Sequence, residues 1–136
     1  MAKFYIATAL ANTLKYEAVR ARLQAGGHSL TFDWLEAGPV DQTSVKDMAK
    51  RSRDDLGGIN DADCVIVILP GGFGTHVELG YALRVASTKV IIWAEGGLAI
   101  SHPQAYPCVF HCDKDAALAE GDMDGLFRWI RLMVGS

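Results

Sequence analysis

The chain has 136 residues, half of them hydrophobic, with 13 Lys and Arg against 16 Asp and Glu for a formal net charge of -3. This length suits one domain, residues 1–136, with a core that needs no disulfide staples. The hydrophobic content excludes a disordered chain, and the absence of a basic block argues against polymeric nucleic acid as a partner.

No run of 18 apolar residues exists, so no helical span and no membrane partner is expected. The first ten residues, MAKFYIATAL, carry one lysine and pass directly into a strand pattern, unlike a secretory leader. Three cysteines, Cys64, Cys108 and Cys112, form no even-numbered framework, which suits a reducing, cytoplasmic setting. Cys64 lies in an apolar run and reads as core. Cys108 and Cys112 flank His111, a trio that could hold zinc. With no second ligand cluster evident, neither a metal nor a cofactor is assigned.

In chain order, residues 3–8 form a first strand. Asn12 is placed to cap a helix running to about residue 25, which Gly26 and Gly27 stop. Residues 28–34 read as a second strand ending at Trp34, and residues 36–41 as a loop around Gly38-Pro39. A polar helix covers 43–59. Residues 62–69 are the third and most apolar strand, followed by a helix over 75–87 and a fourth strand over 89–94. Residues 96–104, with His102, read as a loop. A short fifth strand is expected at 107–110, then a brief helix at 114–120 and an amphipathic helix at 124–134. In that last helix Phe127, Trp129, Leu132 and Met133 make an apolar stripe, for the core or for a partner copy.

Strands alternating with helices imply a parallel sheet covered on both faces, an α/β/α sandwich with right-handed crossovers. Five strands suit the flavodoxin-like order 2-1-3-4-5, whose ligand crevice opens at the carboxyl ends of strands 1 and 3. Residues 7–12, 34–39 and 70–78 should meet there.

The densest signal is PGGFGTHVELG, residues 70–80. An apolar strand empties into a glycine turn, and the turn opens a helix. Gly71, Gly72 and Gly74 permit positive φ and close backbone approach, so the turn can aim several N–H groups at an anion. The spacing is neither the dinucleotide GxGxxG nor a P-loop. Thr75 and Glu78 have the spacing of a capping box, which would use both side chains locally. Alternatively, the Glu78 carboxylate at the crevice mouth attacks or stabilises an anomeric carbon. Tyr5 could orient Glu78 or simply pack. Asp55, beside Asp54 on the polar helix, could face the crevice. Thr8 and Asn12 border the first strand's mouth. Trp34 could stack on a base. His76 could contact a phosphate or protonate a leaving base.

KFYIATAL (3–10), RDDLGGINDADCVIVIL (53–69) and GTHVELGYAL (74–83) resemble the nucleoside 2-deoxyribosyltransferase family over roughly the first 95 residues. The resemblance implies that Glu78 is the nucleophile that takes the sugar from its base. It implies that Tyr5 holds this glutamate and that Asp55 contacts the base. It departs at Gly72, where the family's transferases carry an aspartate and its monophosphate hydrolases a small residue. A C-terminal Asn that the transferases place in a neighbour's site has no counterpart. PGGFGTHVE is also similar to the PGGxGTxxE signature of the lysine decarboxylase-like phosphoribohydrolases, in which the turn binds phosphate. Both resemblances imply cleavage of a base–sugar bond in a nucleoside or nucleoside 5'-monophosphate. Hydrolysis is favoured over transfer, no cofactor is needed, and a homo-oligomer, first a dimer, is expected. A nucleoside 2-deoxyribosyltransferase and a nucleotide-binding or sensing module without catalysis are the alternatives.

Overall fold

The computed structural model of the chain describes residues 1–95 and 108–135. The expected loop at 96–104, with His102, lies outside the described residues.

Five parallel strands form one sheet in the order β2-β1-β3-β4-β5, the flavodoxin-like arrangement. They are β1 (Lys3–Ala7), β2 (Ser29–Leu30), β3 (Cys64–Ile68), β4 (Lys89–Glu95) and β5 (Ala116–Gly121). The helices are α1 (Thr13–Ala25), α2 (Trp34–Ala37), α3 (Val45–Asp61), α4 (Phe73–Arg84) and α5 (Met123–Val134), with 3-10 turns at Leu10–Asn12 and Val109–Cys112. β3, CVIVI, is buried at every position. That is what a central parallel strand with helices on both faces requires, and why its sequence does not alternate. Its register runs from Phe4 opposite Cys64 to Ala7 opposite Val67 on one side, and from Cys64 opposite Lys89 on the other.

α3 and α4 pack together and reach β1 on one face of the sheet. α1 and α5 are joined by Arg22, whose guanidinium pairs with Asp124 at 2.7 Å and lies over the Phe127 ring. α5 buries Leu126, Phe127 and Ile130, while Trp129 and Leu132 stay exposed. The apolar stripe therefore divides: Phe127 packs in the core, and Trp129 and Leu132 face outward.

Several expected elements differ. The second strand pairs only at Ser29 and Leu30, and Trp34 opens α2 instead of ending a strand. Asp33 causes the change. Its carboxylate accepts the Glu36 N–H at 3.2 Å, the Tyr16 hydroxyl at 2.8 Å and Arg20 Nη1 at 2.7 Å, turning the chain off the sheet edge. Asn12 does not cap α1 with its side chain, which reaches back to Thr8 instead. Ser44 caps α3, accepting from the Asp47 N–H at 3.1 Å.

Of the strand expected at 107–110, residue 107 lies outside the described residues, and 108–110 are not a strand. Cys108 is extended but opens the Val109–Cys112 turn, and the strand is Ala116–Gly121, where a helix was expected. AALAEG is a good helix former locally. The outer edge of β4 needs hydrogen-bond partners, however, and pairing from Val90 opposite Ala116 to Glu95 opposite Gly121 supplies them.

Candidate functional site

The carboxyl ends of β1 and β3 are clasped together by Thr8. Its buried hydroxyl donates to the Ile68 carbonyl at 2.8 Å and accepts from Asn12 Nδ2 at 3.0 Å. Beside this clasp opens a cleft of about 770 Å³. Thr8, Trp34, Asp55, Gly72, Gly74, Thr75 and Glu78 all line it. This is the switch point of the strand order, where ligands of open α/β sheets bind.

Three side chains meet at one atom in this cleft. Tyr5 is fully buried in β1, and its hydroxyl hydrogen-bonds Glu78 Oε2 and lies 3.0 Å from Asp55 Oδ1. One hydroxyl has one proton to give, so two carboxyl groups share a single donor. Burial pushes the Glu78 carboxyl up to about 7; the Tyr5 hydrogen bond opposes this and the nearby Asp55 charge adds to it. Burial also raises Asp55, against the Tyr5 hydrogen bond and the Arg51 charge. The Tyr5 phenol is held far above its ordinary range, by burial first and then by the Glu78 and Asp55 charges, so it stays a donor.

A glycine makes this meeting possible. A Cβ on Gly58, inside α3, would sit 2.9 Å from Phe32 Cβ and 3.0 Å from Tyr5 Cδ2. Glycine within a helix costs about 1 kcal/mol relative to alanine. Here it lets α3 approach β1 closely enough to bring Asp55 to the Tyr5 hydroxyl.

The expected capping box is not made. α4 starts earlier, at Phe73, with Gly72 as its N-cap and Thr75 in its first turn. The Thr75 hydroxyl accepts the Gly72 N–H at 3.0 Å, so the local cap belongs to Thr75. Glu78 lies a turn further on, its carboxylate turned to Tyr5.

The turn glycines also differ from expectation, for none of Gly71, Gly72 and Gly74 has positive φ. Gly71 is needed for close approach, since its Cβ would meet Thr75 Cγ2 at 2.6 Å. Gly72 and Gly74 face open space instead, with nothing within 4 Å of an added Cβ. They line the cleft, so the space beside their backbone is left for a ligand.

Trp34 is 7% exposed, with its indole N–H donating to the Ile6 carbonyl at 2.7 Å and its ring tilted against Tyr16. It forms cleft wall in a fixed orientation. His76 is not among the lining residues. Its Nδ1 is 2.9 Å from the Gly72 carbonyl, and its ring stacks on His111 with centroids 5.5 Å apart. Arg51 lines the cleft and donates from Nη2 to the Gly38 carbonyl at 2.7 Å. Its signal was legible: it precedes Asp55 by four residues and so shares its face of α3. Leu10, Val40, Met48 and Phe73 add apolar wall; the first and last lie within quoted motifs, but none of the four was singled out from the sequence.

This architecture is a flavodoxin-like α/β/α sandwich, consistent with the broad class of nucleotide-binding and enzymatic modules. Compared with known proteins, the chain matches no family model and no curated protein.

Proposed function

We propose that this protein cleaves the N-glycosidic bond of a nucleoside or nucleoside 5'-monophosphate, with Glu78 as nucleophile and water as the final acceptor. The observation that carries the reading is the Tyr5 hydroxyl held between Glu78 and Asp55 in a cleft large enough for such a ligand.

In the first step a Glu78 oxygen bonds to C1' of the sugar as the bond from C1' to the base nitrogen breaks. The electron pair leaves with the base, and Asp55, taking up the proton that Glu78 gives up on becoming the nucleophile, delivers it to the base. Tyr5 steadies Glu78 by hydrogen bonding. In the second step water attacks C1', Asp55 takes its proton, and Glu78 is released. The first turn of α4, beside the open space at Gly72 and Gly74, offers N–H groups to a sugar hydroxyl or 5'-phosphate, the Gly72 N–H itself being held by Thr75. Gly72 in place of an acid favours hydrolysis over transfer to a second base.

The test is chromatographic detection of free base across ribo- and deoxynucleosides and their 5'-monophosphates. Base release by the wild type that Glu78→Gln abolishes, with the fold intact by circular dichroism, supports the proposal. Saturable nucleotide binding with no base release from any member of the panel overturns catalysis and leaves a nucleotide-sensing module. Base release that needs a second base identifies a transferase.

A further inference from the structure

Outside the cleft lining, the first turn of α4 faces the turn at Val109–Cys112 across a second cluster. One ligand atom from each of His76, Cys108 and His111 lies within 4.8 Å of the others. His111 is buried, and the two imidazoles stack 5.5 Å apart at an interplanar angle of 27°. Two imidazoles and a thiol from separate segments are the donor set of a borderline-soft divalent cation.

We propose that His76, Cys108 and His111 form a zinc site, with water in the fourth position. It is not the trio that the spacing indicated: His76, 32 positions before Cys108, takes the place of Cys112, which is exposed. The proposal is independent of the glycosidase reading, because metal titration involves no substrate.

His76 is oriented for the role. A carbonyl can only accept, so Nδ1 donates to Gly72 O, and the lone pair of the neutral ring falls on Nε2. A ligating histidine commonly has its other nitrogen fixed in this way. Zinc–nitrogen bonds of about 2.0 Å and a zinc–sulfur bond of about 2.3 Å put ligand atoms roughly 3.3–3.6 Å apart in a tetrahedron. Side-chain adjustments of about 1 Å close the cluster from its present spread. Binding exchanges the Cys108 S–H bond for an S–Zn bond and releases one proton to solvent. The metal would tie the turn leading into β5 to the helix turn just before Glu78, reinforcing a corner of the fold beside the cleft.

The test uses the full chain, purified with chelator and reductant and titrated with cobalt(II) and then zinc(II). One equivalent should bind, with a thiolate-to-cobalt charge-transfer band that zinc displaces. Cys108→Ser should remove the band. His76→Gln and His111→Ala should each weaken zinc binding ~10-fold or more. Cys112→Ser should keep both band and affinity. Should His111→Ala fail to fold, Cys108→Ser and His76→Gln decide the matter, their melting without metal serving as the folding check. The absence of saturable binding at one equivalent overturns the site. So does a band that survives Cys108→Ser or is lost in Cys112→Ser.

Discussion

Replacing Tyr5 by phenylalanine removes one oxygen and leaves a fully buried ring in place. That oxygen carries the hydrogen bond to Glu78 and lies 3.0 Å from Asp55 Oδ1. A hydrogen bond to a charged group contributes about 1.5–3 kcal/mol. At about 1.4 kcal/mol per decade, losing it from the glutamate proposed to attack C1' should slow base release roughly 10- to 150-fold. The same bond opposes the burial that raises Glu78 to about 7, so the rising limb of the pH–rate profile should move to higher pH. Single-turnover base release measured across pH reads both effects. Tyr16→Phe is the control, because the Tyr16 hydroxyl donates to Asp33 at 2.8 Å and touches neither carboxyl group of the cleft. It should lower stability by about 1 kcal/mol and leave the rate unchanged. A Tyr5→Phe variant with wild-type base release and an unmoved limb would refute the positioning role.

Glu78 should also be legible in stability. Its carboxyl is raised from 4.5 to about 7 in the folded chain, so its contribution is fully present below pH 4.5 and lost as pH rises through 7. In chelator-containing buffer, urea titrations should show Glu78→Gln gaining on wild type by on the order of 2–3 kcal/mol across that window, and parallel curves would contradict this. Asp33 runs the other way. Burial raises its carboxyl, but hydrogen bonds from Arg20, Tyr16 and the Glu36 N–H outweigh burial and hold it below the usual range. Its stabilisation should be present above the ordinary carboxylate pKa and lost as pH falls through the depressed one, and Arg20→Gln should flatten that acid limb. Gly58→Ala should destabilise by about 1–3 kcal/mol through overpacking against Phe32 and Tyr5 and slow base release. Gly57→Ala, with nothing within 4 Å, should instead stabilise the chain by up to about 1 kcal/mol in thermal melts.

The sequence by itself determined the layer architecture and the strand order. The unbroken apolar run at Cys64–Ile68 can be satisfied only between two helical layers, and regular strand–helix alternation leaves few topologies. It also located the crevice, because the switch point follows from strand order alone, and it marked Tyr5, Asp55 and Glu78 as a possible set. Features set by distant partners were beyond it. AALAEG is helical by propensity, and it becomes a strand because the edge of β4 must be paired. The role of Glu78 was undecided between cap and nucleophile, since Thr75-x-x-Glu78 suits either. Only packing moved the helix start to Phe73, gave the cap to Thr75 and turned Glu78 toward a hydroxyl 73 positions away. Gly58 looked like a flaw in a helix until Tyr5 and Phe32 were set against it. Hydrophobic period and turn chemistry are local and can be read along a chain. The sharing of one hydroxyl donor by two half-buried carboxyl groups depends on how helices are pressed onto a sheet, and that is decided in three dimensions.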